Sequence, residues 1–370
     1  MTPQAELALL LRPAGGGVHL VSSGRAEQLL AQRRLHGAAT DEEVQARFRD
    51  RLAQVPSARA VLLGIPSDVG AGSVRGASQG PLAIRMRLLD QDPGWFARAE
   101  RAGLVDLGDV FTVPQLLHDE MLSEAQKEAS RRALYPGVPA AVRAGLPVSP
   151  LSMAERVLDL VLSMSPGAAP LLLGGDHSAA WPAVAALQRA RPGLGVVQVD
   201  AHTDLLEERL GVKYCFGTWS FHANELLGRC GRMVQVGIRA SRHDRGHWEE
   251  TLGVRQVWAR EVRADPAAAL DAILEAVEES GVSSVYLSND IDGTDQAFAD
   301  ATGTPEPDGL HPDEVVELIR RLGREVGLSG GDVMEVAPLV ARSPGGAGRT
   351  LDTAARYVRE TAAALLGAAI

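Results

Sequence analysis

The sequence predicts an α/β fold: one mostly parallel sheet of about eight strands with helices on both of its faces. Two observations predict it. Short apolar runs recur along the chain, and several, such as "AVLLGI" (60–65) and "GVVQVD" (195–200), are continuously apolar rather than alternating, as befits strands buried on both faces. Between the runs lie amphipathic stretches of helical period, such as "MAERVLDLVLSM" and "AAALDAILEAVEES", and regular strand–helix alternation builds a parallel sheet.

Taken in order, residues 1–58 precede the first strand and form an extension expected to pack on the core. Thr40 followed by Glu43 reads as the cap of a helix over "DEEVQARFRDRLAQV". The main domain then spans 59–370. After "AVLLGI" and "LVDL" (104–107) comes a long connection, 111–150, holding one helical piece ("SEAQKEASRRAL") and a Pro/Gly-rich run. A connection of that length is usually functional or mobile. Ser152 and Glu155 form a capping-box pattern at the start of the next helix. The remaining strands are expected at "PLLLGG" (170–175), "GVVQVD", "MVQVGI" (233–238), "RQVW" (255–258), "SVYLSND" (284–290) and "GDVMEV" (331–336).

Composition narrows the function. A formal net charge of −10 and the absence of a basic stripe argue against nucleic acid. The N-terminal apolar run is too short for a membrane span and lacks a basic leader, so a cytoplasmic protein is expected. Cys215 and Cys230 form no paired pattern and are expected as free thiols.

Chemistry concentrates at the carboxyl ends of three strands, where ligands gather in open α/β sheets. "PLLLGGDHS" delivers Asp176 and His177, "GVVQVDAHTD" delivers Asp200, His202 and Asp204, and "SVYLSNDIDGTD" delivers Asp290, Asp292 and Asp295. Strand alternation is expected to send Asp200, His202 and Asp204 off one face together. Carboxylates converging on one sheet edge repel each other unless a cation joins them. Oxygen-rich ligands with some imidazole suit a pair of divalent ions, Mn²⁺ first, with Ni²⁺, Co²⁺, Fe²⁺ and Zn²⁺ also compatible. Hydrolysis is the natural reaction class for a two-metal site.

The motifs "GGDHS", "DAHTD" and "SNDIDGTD", in this order, resemble the arginase–agmatinase (ureohydrolase) family. The likeness extends to "GIPSDVGAGSVRGASQGPLAIR" (64–85), "VDLGD" (105–109), "VQVGIRA" (234–240), "ATGTPEPDGL" (301–310) and "DVMEVAP" (332–338), covering roughly 58–365. It implies a three-layer α/β/α fold, a binuclear manganese site, a small guanidino substrate cleaved to urea and an amine, and a homo-oligomer, trimer or hexamer. Motif by motif, it implies that His177, Asp200, Asp204 and Asp290 hold one metal. It assigns Asp200, His202, Asp290 and Asp292 to the other, so that Asp200 and Asp290 bridge. Glu335 matches the carboxylate that grips the guanidinium, and Asp295 is expected to help the metals stabilise the tetrahedral intermediate.

Departures from the family pattern narrow the substrate. Where arginases place an asparagine after DAHxD, this chain has Leu205, Leu206 and Glu207, and Ala240 and Ser241 stand where arginases carry acids for the α-amino group. The expected substrate is therefore agmatine-like rather than arginine. Free guanidine, a guanidino acid or a formimino compound is the alternative, and so is a metal-binding member without catalysis. The family's proton-carrying histidine is replaced by Phe216, ahead of Gly217. His222 is expected to take that role from a new backbone position, while Phe216, Trp219 and Phe221 wall the cation by cation–π contact.

Overall fold

A computed structural model describes residues 1–370. Nine strands form one sheet: β1 (Leu11–Arg12), β2 (Ala60–Ile65), β3 (Leu104–Val110), β4 (Ala169–Gly174), β5 (Leu194–Val199), β6 (Met233–Ile238), β7 (Arg255–Trp258), β8 (Ser284–Asn289) and β9 (Leu328–Val333). Their order is β1-β3-β2-β4-β9-β8-β5-β6-β7, and every pairing is parallel except β1 with β3. The eight parallel strands coincide with the eight apolar runs. β1 has too few residues to leave a periodic signal, and it fastens the N-terminal segment to the sheet edge. β9 begins at Leu328, three residues before the expected start, because its first half is "LSGG" rather than apolar. Those glycines are needed for close approach: a Cβ on Gly330 would lie 2.8 Å from the Pro170 carbonyl oxygen.

Alternation along the strands builds two cores. Val61, Leu63 and Ile65 of β2 join one, with Leu172 and Val196 and the helices Pro150–Met164, Trp181–Ala190 and Trp219–Leu227. Ala60 and Leu62 join the other, with Leu171, Leu173 and Val197, against Gly80–Gln91, Pro266–Glu279, Pro312–Arg321 and Gly346–Leu366. The result is a three-layer α/β/α molecule. No helix is long and apolar enough to cross a membrane, and both cysteines are free.

The Thr40 hydroxyl accepts from the Glu43 amide at 3.3 Å and caps the helix Asp41–Ala53. The capping box at Ser152 does not form. Its helix starts earlier, at Pro150, because proline fits the first helical position without needing an N–H. The Ser152 hydroxyl instead accepts the Asp119 amide at 3.0 Å, and Glu155 accepts Trp181 Nε1 at 2.9 Å.

Two of the motifs quoted above meet in a buried ion network. Arg85, fully buried, donates through Nε (3.1 Å) and Nη2 (2.9 Å) to Asp106 and through Nη1 to Asp109 at 2.5 Å. Asp109 Oδ2 in turn accepts the Gly15 amide at 2.7 Å, which ties the N-terminal segment to β3. Removing one partner of such a network strands buried charge. Arg85→Met should lower unfolding free energy by about 3–5 kcal/mol in urea titrations, and a loss under 1 kcal/mol would show that the network carries little of the fold's stability.

Candidate functional site

β4, β9, β8 and β5 lie side by side at the centre of the sheet. Their carboxyl ends bring His177, Glu335, Asp290 with Asp292, and Asp200 with His202 and Asp204 to one place. The convergence is not made by strand alternation. β5 stops at Val199, so Asp200, His202 and Asp204 sit on the loop beyond it, and the expectation of one strand face is corrected. Asp204 turns back toward the cluster through a left-handed backbone (φ 51°), and His202 is held by a bridge to Ala240.

His177 Nδ1 lies 3.0 Å from Asp290 Oδ2, 3.1 Å from Asp200 Oδ2 and 3.4 Å from Asp204 Oδ2. His202 Nδ1 lies 3.2 Å from Asp292 Oδ2 and 3.6 Å from Asp200 Oδ1. Two ligand-competent groups result, His177–Asp200–Asp290 and Asp200–His202–Asp292, with Asp200 common to both. Asp290 belongs only to the first of these, and its Oδ1 accepts the Asp292 amide at 2.9 Å. Supporting contacts aim the carboxylates: Gln198 Nε2 donates to Asp200 (2.7 Å), Trp219 Nε1 to Asp204 (3.1 Å) and Thr304 Oγ1 to Asp292 (3.0 Å).

The residues fit a metal on an argument internal to the site. Ser288 Oγ donates its single proton to Asp332 (2.9 Å), so toward His177 Nε2, at 2.9 Å, it can only accept. In the neutral ring that places the imidazole proton on Nε2 and leaves Nδ1 bare. Burial opposes an imidazolium, but Asp200 and Asp290 outweigh it and hold His177 well above the usual imidazole range, so without a metal Nδ1 takes up a proton. The unprotonated Nδ1 is buried and points its lone pair at three carboxylate oxygens, an arrangement that is repulsive until a metal ion or a proton stands among them.

Protons are the competing source of positive charge. Burial opposes an imidazolium at His202, yet Asp292 and Asp200 push it up to about 12. Burial, then Asp292 and Asp200, holds Asp290 well above the usual carboxylate range, and burial, then Asp200, does the same for Asp204. At Asp200 burial is outweighed by His177 and His202, and its carboxyl is depressed.

Glu335 stands beside this cluster, buried, with a left-handed backbone (φ 61°) that swings it off the end of β9. Non-glycine residues adopt that conformation at a cost. Its Oε1 accepts the His177 amide at 3.0 Å, and burial, followed by the charges of Asp290 and Asp176, pushes it well up.

Four other expected residues lie elsewhere or serve otherwise. Both Asp295 oxygens accept backbone amides, Ala297 at 2.8 Å and Gly309 at 2.9 Å, which makes it a loop clamp and not a member of the cluster. Trp219 is fully buried, packed on His177 with centroids 4.5 Å apart, so it backs the cluster instead of walling a substrate. His222 is not brought to the cluster: its Nε2 pairs with the Lys213 carbonyl at 3.0 Å and its ring lies among Trp181, Tyr214 and Phe221. Phe216 carries the Arg209 guanidinium 4.9 Å above its ring, so its cation–π partner is the protein's own. The Ser288–Asp332–Tyr286 relay behind His177 was missed, although Asp332 within the apolar "GGDVMEV" was a visible signal.

A parallel α/β sheet whose central strands end in a cation-demanding cluster of acids and imidazoles defines a candidate metal-dependent enzyme. The arginase family model matches residues 58–364. The mitochondrial agmatinase of Gallus gallus is 32% identical over 292 residues, 76% of this chain and 74% of that protein. The guanidinobutyrase of Pseudomonas aeruginosa is 31% identical over 293 residues, 77% and 81% of the two chains. The crystal structure of agmatine ureohydrolase of Thermoplasma volcanium superposes with a TM-score of 0.61 at 29% identity, covering 84% of this chain and 90% of that one. The chain belongs to the arginase family, and it is a hydrolase acting on the C–N bonds of linear amidines.

Asp200 serves both ligand groups, so Asp200→Asn should lose at least one of two bound divalent ions per chain by elemental analysis. Ser288→Ala, which frees the His177 tautomer, should keep its circular dichroism and weaken metal affinity about 10–100-fold. Full occupancy in Asp200→Asn would overturn the ligand assignment.

Proposed function

We propose that the protein hydrolyses a guanidino compound lacking an α-amino acid head, as agmatine does, to urea and an amine, using two divalent ions, manganese first. His177, Asp200, Asp204 and Asp290 are assigned to one ion, and Asp200, His202, Asp292 and Asp290 to the other. The observation that carries this reading is the bare His177 Nδ1 facing three carboxylates beside a separate buried acid, Glu335. Bound there, the ions would supply Lewis acidity and acidify a water molecule. Glu335 offers Oε2 to the guanidinium, since its Oε1 is occupied by the His177 amide. Space lies beside Oε2, because Gly303 has no side chain and a Cβ there would stand 4.0 Å from it. The surrounding apolar packing excludes water from most of the cluster, while His202, its side chain 27% exposed, marks the face open to solvent. With Phe216 unable to carry a proton, the departing amine takes its proton from water on that face.

Arginine is disfavoured for two reasons. Leu206 offers no polar group to an α-carboxylate, and the Ser241 hydroxyl is committed, accepting from Trp248 Nε1 at 2.9 Å and donating to the His243 carbonyl at 2.7 Å. Cytoplasmic residence and assembly as a trimer or hexamer belong to the same reading, supported by the free thiols and the family likeness respectively.

Urea release across a panel of guanidines, with manganese and then nickel, tests the function. No urea from any of them would leave a metal-binding member without catalysis. Within the panel, kcat/KM for L-arginine should fall roughly 10²-fold or more below the best substrate, since its charged head is left unpaired. His222→Ala should keep kcat within about threefold of the parent, whereas a positioned acid–base group is worth ~10²–10⁴. A loss in that range would return His222 to the mechanism.

A further inference from the structure

A cavity of about 460 Å³ opens beside the candidate site, walled by the loop after β2, the long connection after β3 and the loop after Asp204. It adjoins the reacting groups through the backbone. Gly70 lines it, and the Gly70 amide donates to Asp176 Oδ2 at 3.0 Å, next to His177. Phe216 also lines it and donates its amide to the Gly70 carbonyl at 3.1 Å. Further along the same loop, the Val74 carbonyl lies 3.4 Å from the point a Gly303 Cβ would occupy, the point that stands 4.0 Å from Glu335 Oε2. One short loop therefore reaches from the cavity wall to the space beside the guanidinium carboxylate.

The wall is mainly apolar, including Leu116, Met121, Leu122, Val212 and Phe216, and no aspartate or glutamate lines it. Its one permanent charge is Arg209, which has no acidic partner within ion-pair distance and rests on the Phe216 ring. At the mouth, Arg209 and Val212 exchange backbone hydrogen bonds of 3.0 and 2.9 Å around Leu210 and Gly211, both with positive φ (53° and 79°). Leu210 is thus a bulky residue in a left-handed conformation, 99% exposed at the rim of an apolar cavity. A leucine there bears both backbone strain and a bare apolar surface, and a nonpolar ligand chain would cover it.

Resting on the ureohydrolase reading, we propose that this cavity receives the substrate's tail and that the preferred substrate is a guanidino compound with a bulky apolar tail and no second cationic group. The volume is that of sites holding ligands well above a four-carbon chain in size. A terminal ammonium would meet a like charge in Arg209 and no carboxylate in the wall, and the nearby acids Glu120 and Glu155 are held by Lys213 at 2.8 Å and Trp181 Nε1 at 2.9 Å. In the reaction, water oxygen bonds to the guanidino carbon, the bond from that carbon to the tail nitrogen breaks, and a proton passes to the departing nitrogen. Urea and an apolar amine result. Phe216, which cannot carry a proton, has a place here as part of the apolar wall.

The test compares agmatine, 4-guanidinobutyrate and butyl-, hexyl- and octylguanidine on the manganese-loaded protein, with calorimetry of the same compounds on the protein with and without metal. Each added methylene should raise kcat/KM and affinity about fourfold, so octylguanidine should exceed butylguanidine by roughly 10²-fold and surpass agmatine. Met121→Trp, which narrows the cavity from its wall, should flatten that dependence. Arg209→Glu should move the agmatine-to-octylguanidine ratio at least about tenfold toward agmatine. Urea release with a flat or falling chain-length series, or with agmatine as the best substrate, overturns the tail assignment and leaves the ureohydrolase reading intact. If no compound yields urea, that reading fails, and calorimetry still decides: chain-length-dependent binding lost in Met121→Trp supports the cavity's role, and its absence overturns it.

Discussion

Buried negative charge at the ends of four adjacent strands is the constraint around which this molecule is arranged. Asp200, Asp204, Asp290, Asp292 and Glu335 are all buried near His177 and His202, and none has a lysine or arginine for a partner. Carboxylates removed from water at such spacing are tolerable only with a cation or with protons among them. The contacts around the cluster serve that condition. Gln198, Trp219 and Thr304 hold individual carboxylates, and the Ser288–Asp332 pair fixes which nitrogen of His177 is free to bind.

The same chain solves a second buried-charge problem in a different way. Around Arg85 the acids Asp106 and Asp109 are answered by a guanidinium whose fork matches them, so the network is closed and needs nothing from outside. Both networks come from motifs that carry the family likeness, but one is a clamp joining the helix Gly80–Gln91 and β3 to the N-terminal segment and the other is an open site. The difference lies in whether a protein cation faces the acids.

Next to the open site, the environment turns apolar. The connection after β3 and the loop bearing Phe216 enclose a cavity with no acid in its wall, so the acid cluster and the cavity next to it present opposite chemistries. The proposed anchoring of a guanidinium at Glu335 and burial of a hydrocarbon tail are compatible demands, because Glu335 and the cavity are separated by the length of one loop, residues 69–74.

By itself the sequence determined the fold class, the eight parallel strands and the identity of the acid and imidazole residues at their ends. Each of those rests on local information: continuous apolar runs, helical periodicity, and motifs within a few residues of a strand terminus. Tertiary structure decided the rest. It left Asp295 to clamp a loop, turned Trp219 inward behind His177 and held His222 on the Lys213 carbonyl, because a side chain's role depends on which partners distant segments bring within hydrogen-bond range. It ended β5 before Asp200 and gave Asp204 a left-handed backbone that no strand supplies. It also made the apolar cavity, whose walls come from three segments far apart in the chain and therefore leave no contiguous pattern to read.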